Sequence, residues 1–266
     1  MKNKNFWIRY ITISLCIIGL ANTHKTVAQD DSPKVIIEYI AHASFKISYH
    51  GTTLLLDPYT DKVWLGYNFP KDITADAIFS THPHYDHDGG LFLGKTPYWK
   101  DKIPLYQDPG SYTLGDFKIT GIKGKHCDPY GKEFGQKNTI WKIEVNGLTI
   151  THLGDNGPLT QENYDALGKT DILLTPIDSK YHILKKEELD VVLETIQPTI
   201  IIPMHYRIPD LETDIDKPED LGGIDPWLEE KTNVTRLPSN RYTIDTTMFN
   251  KSTQIVVFKH ASTVTH

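Results

Sequence analysis

Cysteine is almost missing from this chain. Only Cys16 and Cys127 occur in 266 residues, so a disulfide framework is excluded. No apolar run reaches the ~20 residues that a membrane-spanning helix requires; the most apolar segment, residues 11–20, has ten. Internal repeats, low-complexity tracts, Gly/Ser linkers and a heptad or collagen period are all lacking. Basic residues are outnumbered, 28 against 34 acidic, for a formal charge of -6. An acidic chain without a Lys/Arg stripe is poorly suited to tracking nucleic acid. With 39% apolar residues the chain is too hydrophobic for disorder and long enough to bury a sizeable core. Against these shortages stands histidine, present 12 times, the commonest side-chain metal ligand.

The first residues differ from the rest. Lys2, Lys4 and Arg9 precede the apolar run 11–20, and small residues follow near Ala28. A basic start, a short apolar stretch and a small-residue cleavage site describe a secretory signal peptide, with cleavage expected after Ala28 or, second, after Ala21. Cys16 follows Leu15, whereas a lipidation site prefers a small residue there. The expected organisation is therefore a signal peptide over 1–28 and one domain over 29–266, periplasmic or secreted, with no stable membrane anchor. Removing residues 1–28 takes away Lys2, Lys4, Arg9 and Lys25 and no acid, which moves the formal charge from -6 to -10. It also leaves Cys127 as the single thiol, which cannot mispair within the chain in an oxidising compartment.

Periodicity predicts strands at Val35–Ile40, Phe45–Tyr49, Thr52–Leu56 and Ala77–Ser80. Asn146-Gly147 between two apolar runs is a strong hairpin signal. Helices are expected at Gln161–Leu167, closed by Gly168, and at Lys185–Ile196, stopped before Pro198. Continuous apolar runs at Asp171–Leu174 and Thr199–Ile202 suit strands covered on both faces, and Ile255–Phe258 suits a last strand. Hairpins followed by strand–helix–strand units imply a layered α/β (α+β) domain. Residues 207–250, rich in Pro, Asp and Glu, give no clear pattern.

The chemistry concentrates in Thr81-His82-Pro83-His84-Tyr85-Asp86-His87-Asp88-Gly89-Gly90, directly after the apolar strand at 77–80. His82 and His84, two apart in an extended turn, project to one side and can grip one ion. Asp86 and His87 open the next turn and face a neighbouring ion. Imidazole and carboxylate together suit Zn²⁺ and also accept Mn²⁺ or Fe. Gly89-Gly90 is expected to lead tightly into a helix whose positive end lies beside the site.

A motif H-x-H-x-D-H-x-G-G after a buried strand resembles the metallo-β-lactamase superfamily, whose fold is an αββα sandwich. The resemblance runs over roughly residues 35–206. It implies that Asp57, at the end of Leu54-Leu55-Leu56-Asp57, orients the motif loop without touching metal. It implies further ligands in His126 of Gly124-Lys125-His126-Cys127, Asp155 of His152-Leu153-Gly154-Asp155, and His205 of Pro203-Met204-His205-Tyr206. The implied centre holds two divalent ions. His82, His84 and His126 take one, Asp86, His87 and His205 the other, and Asp155 bridges. Asp86 thus belongs to the catalytic apparatus, and the implied reaction is attack by a metal-bridging hydroxide.

β-Lactamases of this superfamily are similar to one another in placing a Cys ligand where Asp155 stands, which disfavours β-lactams. Redox diiron members carry an acid where His84 stands, which favours a hydrolase. Ala41-His42-Ala43-Ser44-Phe45, the 152–155 segment and Pro203–Tyr206 resemble a branch containing bacterial ascorbate-6-phosphate lactonase and phospholipase D-type N-acylethanolamine-releasing enzymes. That branch implies a small-molecule ester, lactone or phosphodiester. An anionic substrate would be helped by Arg207 or Lys180. The alternatives are a non-catalytic metal-binding module on the same scaffold and a thioester or β-lactam-type hydrolase. His182, in the loop before the second helix, is a candidate to orient substrate or protonate a leaving group. His42 and His152, on strands near the site, are expected to pack or support a ligand through a hydrogen bond, and Cys127 to be a small buried residue.

Overall fold

The computed structural model describes residues 34–177, 183–211, 221–244, 249 and 252–265. The expected signal peptide, Lys180 and His182 lie outside the described residues. So does the acidic segment 212–220. The described chain belongs to one unit, 33–266, and none of its helices is long and apolar enough to cross a membrane.

Strands β1 (Ile36–Ala41), β2 (Ser44–Tyr49) and β3 (Thr52–Leu56) form an antiparallel meander in the first sheet. β4 (Ala77–Phe79) adds in parallel to β3, and β5 (Leu105–Tyr106) to β4. A second sheet begins with β6 (Gly110–Leu114), β7 (Phe117–Lys125), β8 (Lys137–Val145) and β9 (Leu148–His152), all antiparallel. The β8–β9 turn is Asn146-Gly147, with both residues at positive φ as the hairpin signal requires. β10 (Ile172–Pro176) and β11 (Ile200–Met204) then pair in parallel. Both are buried at every position, which is why their sequences are continuous apolar runs.

α1 (Gln161–Leu167) is opened by a Thr160–Asn163 capping box and packs on β7. α2 (Lys186–Ile196) buries Leu189 and Val192 and ends at Gln197, before Pro198. The segment at 207–250 contributes a short helix α3 (Ile224–Leu228) and strands β12 (Val234–Arg236) and β13 (Arg241–Thr243). β13 joins the first sheet beside β1, whereas β12 joins the second beside β14 (Gln254–Val257). The six-stranded and eight-stranded sheets share one core, through contacts such as Phe79 on Trp141, ring centroids 5.0 Å apart. The fold is the mixed α/β two-sheet sandwich expected from the sequence.

One local expectation is corrected. No helix follows Gly89-Gly90; residues 85–94 form successive turns. Gly89 and Gly90 both have positive φ; Gly89 N donates to Pro58 O, Gly90 N and Phe92 N to the Asp88 carboxylate, and Asp88, Leu91, Leu93 and Gly94 N to carbonyls within the turns. Two consecutive left-handed residues break an α-helix before it starts, so no helix dipole faces the site from this loop.

Candidate metal centre

Every element that reaches the site does so from the carboxyl end of a strand. β3 leads to Asp57, β4 to the 81–90 motif, β7 to His126, β9 to Asp155 and β11 to His205. Three residues just past strand ends, His42, Asp57 and His205, have φ values of 58°, 40° and 55°. Left-handed backbone at non-glycine positions is uncommon and costs energy, and it persists where surrounding structure enforces it. Here it coincides with side chains turned into the site. Gly154 serves the same purpose without a side chain: a Cβ there would lie 2.5 Å from Thr81.

Asp57 organises the motif loop. It is fully buried and accepts four bonds: from Thr81 N at 2.7 Å, Thr81 Oγ1 at 2.8 Å, His87 Nδ1 at 2.7 Å and His152 Nε2 at 2.8 Å. Burial alone would raise its pKa, but His152 and His87 outweigh that and hold it well below the usual carboxylate range. His82 Nδ1 sits 2.9 Å from Thr81 Oγ1, so Asp57 also steadies His82 through the threonine. Tying the Nδ1 atoms of His82 and His87 leaves their Nε2 atoms for the interior of the site. His152 is thus a support for Asp57, as expected of it.

Two groups of ligand-type atoms result, each with its atoms within 4.8 Å of one another: His82, His84, His126 and Asp155, and His42, Asp86, His87 and His205. His82 Nε2 and His84 Nδ1 are 3.0 Å apart. Asp86 Oδ2 lies 3.0 Å from His42 Nε2, 3.3 Å from His87 Nε2 and 3.7 Å from His205 Nε2. Asp155 touches both groups. Its Oδ2 is 3.2 Å from His205, 3.7 Å from His126 and 3.8 Å from His82, and its Oδ1 is 3.3 Å from His87. All seven residues proposed as ligands are therefore brought together, with Asp155 between the groups.

The donor set fits divalent ions. Two atoms each ~2.0–2.2 Å from one ion lie roughly 3–3.5 Å apart, the range of the shortest separations here. Buried His87 Nε2, His126 Nε2 and Asp155 Oδ1 make no well-directed hydrogen bond, and such groups cost about 1–3 kcal/mol each unless something satisfies them. Burial, then neighbouring imidazoles, push His82 well below its ordinary pKa and His42 down to about 4; burial also lowers His126. These are neutral imidazoles, the ligating form. Burial opposes a proton on His87, but Asp155, Asp86 and Asp57 outweigh it and lift the pKa well above the ordinary value. An ion entering there competes with that proton.

His42 is the residue that sequence reasoning underrated. Packing or support was expected of it, yet its fully buried ring lies 4.2 Å from that of His205 and its Nε2 occupies a ligand-type position beside Asp86. It stands 40 residues before the motif, in the β1–β2 turn, and only pairing of those strands reveals its place. Its carbonyl is held by His205 N at 3.0 Å and Tyr39 Oη at 3.1 Å. Glu133 was also unforeseen; its Oε1 meets His84 Nε2 at 3.2 Å, which turns Nδ1 of that ring inward. Cys127 is buried, as expected, behind His126.

These charge states predict an acid limit for the metal-free protein. A histidine held neutral by burial adds stability above its unfolded pKa, and loses it as pH falls toward the folded value. His42, His82 and His126 are of this kind. His87, with a raised pKa, contributes stability that is complete below pH 6.5 and is lost only on the alkaline side. Between pH 6.5 and about 4, therefore, all three histidines act to destabilise, opposed by buried Asp88, whose raised pKa favours the folded state as pH falls. Melting of chelator-stripped protein should show Tm falling across this window; a flat or rising Tm would contradict the neutral imidazoles.

Histidine and carboxylate donors at strand ends between two sheets define a metal-binding α/β sandwich. Comparison with known proteins agrees. Residues 36–205 match the family described as the β-lactamase superfamily domain, and the chain belongs to this metallo-β-lactamase superfamily. It is 27% identical over 207 residues to a UPF0173 metal-dependent hydrolase of Carboxydothermus hydrogenoformans, covering 70% of this chain and 91% of that protein. A UPF0173 metal-dependent hydrolase of Methanosphaera stadtmanae is 29% identical, with 68% and 88% covered. Among solved structures, a Thermotoga maritima protein assigned to the Zn-dependent hydrolases of the superfamily matches with a TM-score of 0.63 and 25% identity, over 84% of this chain and 98% of that one.

Proposed function

We propose that this metal-dependent hydrolase works with two divalent ions on an ester, lactone or phosphodiester of a small molecule. The observation that carries the reading is Asp155, whose two oxygens face both groups of ligand-type residues. Bound there, such ions polarise a substrate oxygen and lower the pKa of water. The residues' own part is orientation. Asp57 and Thr81 set the motif loop and the His82 and His87 rings, Asp155 and Asp86 supply negative charge between imidazoles, and burial excludes bulk water. Zinc is the metal the donors suit best. A periplasmic or secreted location follows if residues 1–28 direct export.

Metal analysis of protein grown in metal-replete medium should find close to two ions per chain. Chelation should abolish turnover on a panel of lactones, phosphodiesters and thioesters, and added metal should restore it. Fewer than one ion per chain would reject the dinuclear reading. A metal-loaded protein inert on the whole panel would favour the non-catalytic module.

A further inference from the structure

Of the eight residues in the two groups, His84 has the most exposed side chain, at 20%; the other seven are at 8% or below. Solvent, and any substrate, therefore reaches the site past His84. The surroundings of that opening are aromatic. The Phe134 ring lies 4.7 Å from His84, 5.9 Å from His82 and 6.0 Å from His126, and Phe92 lies 6.0 Å from Phe134. In the other direction Tyr85 is 6.3 Å from His84 and Trp64 6.2 Å from Tyr85, while Trp64 is also 6.2 Å from His205. A run of rings thus passes along both groups. Phe92 and its neighbour Leu93 are 52% and 55% exposed, among the most exposed large apolar side chains of the described residues. Exposed apolar residues clustered beside a polar site mark a binding surface rather than chance. Among the described residues, the charged side chain bonded to His84 is Glu133, which is itself exposed and carries the wrong sign for an anionic substrate. Among the described residues, Asp57, Asp86 and Asp155 form their ion pairs with histidines and not with Lys or Arg.

We propose that the opening selects a neutral substrate with an apolar acyl or aryl group, which packs against Phe92, Leu93 and Phe134 while its polar head reaches the histidine–carboxylate cluster. The hydrolysis of that substrate rests on the hydrolase reading; its fit to the apolar rim does not, and the two can be tested apart.

The probes are aliphatic hydroxamic acids, which pair a metal-binding head with a tail of chosen length and need no turnover. Acetohydroxamate, butyrohydroxamate and octanohydroxamate are titrated into the metal-loaded protein by calorimetry. Full burial of a methylene is worth about fourfold in affinity, so partial burial of six should make octanohydroxamate at least ~10-fold tighter than acetohydroxamate. Octyl phosphate should bind more weakly than octanohydroxamate. The double substitution Phe92→Ala with Phe134→Ala should shrink the tail-length gain to about threefold or less, with metal content near two ions per chain as the control for folding. Equal affinity for the short and long hydroxamates would overturn the proposal, even if the double variant does not fold. Equal gain in wild type and a metal-loaded double variant, or preference for octyl phosphate, would overturn it too. In parallel, p-nitrophenyl acetate, butyrate and octanoate are assayed. Turnover without length dependence would reject the apolar rim and keep the hydrolase. Tail-dependent hydroxamate binding with no ester turnover would count against ester hydrolysis and keep the rim.

Discussion

Replacing Asp57 by alanine is expected to lower the melting temperature by about 10 °C or more, and to cost metal affinity as well. The carboxylate is fully buried and accepts four bonds, and its charge balances His87, whose pKa it helps to raise. Removing one partner of a buried ion pair costs about 3–5 kcal/mol, because the other charge remains without compensation. A domain of this size loses roughly 2–4 °C per kcal/mol. Three further donors, Thr81 N, Thr81 Oγ1 and His152 Nε2, would lose their acceptor. Asp57→Asn keeps the shape but turns one acceptor into a donor facing donors, so it should rescue only in part. Thermal unfolding with and without metal measures both effects. A change of less than about 2 °C in Asp57→Ala would show that the motif loop is held by something else.

Asp155→Ala should have the largest effect on activity. Its carboxylate contacts His87, His205, His82 and His126, drawn from both groups. Without it the imidazoles face each other with Asp86 as the one remaining carboxylate among the ligand-type atoms. Metal content should fall from about two ions to one or fewer, and turnover by at least about 10²–10³-fold, the usual scale for loss of one preorganised charge-stabilising group. Elemental analysis alongside kcat would decide it. Retention of two ions and near-normal turnover would remove Asp155 from its place between the ions.

Much of the site was legible because its residues are close in sequence or sit at strand ends with a periodic signature. His82, His84, Asp86 and His87 lie within six residues, and any tight turn carrying them must bring them together. The buried runs before Asp57 and His205 marked strands whose ends point at one edge of a sheet. The strands at 105–125 were not read: β5 has only two residues, and the alternation of Ser111, Tyr112, Thr113 and Leu114 in β6 is short, with no position fully buried. The helix expected after Gly89-Gly90 failed for a local reason, the left-handed backbone of both glycines.

By itself the sequence determined many of the sheet strands, the two longer helices and the His82–His87 cluster, because these follow from periodicity and short-range spacing; His126, Asp155 and His205 were expected from the family resemblance. Only the tertiary structure decided what lies beside them. His42 enters from a hairpin turn 44 residues before Asp86 and meets it at 3.0 Å. Glu133 and Phe134 return over His84 from a loop about 50 residues further on. The reason is physical: contacts between distant segments depend on how two sheets stack and where loops fold back, and no local pattern of hydrophobicity or turn residues encodes that.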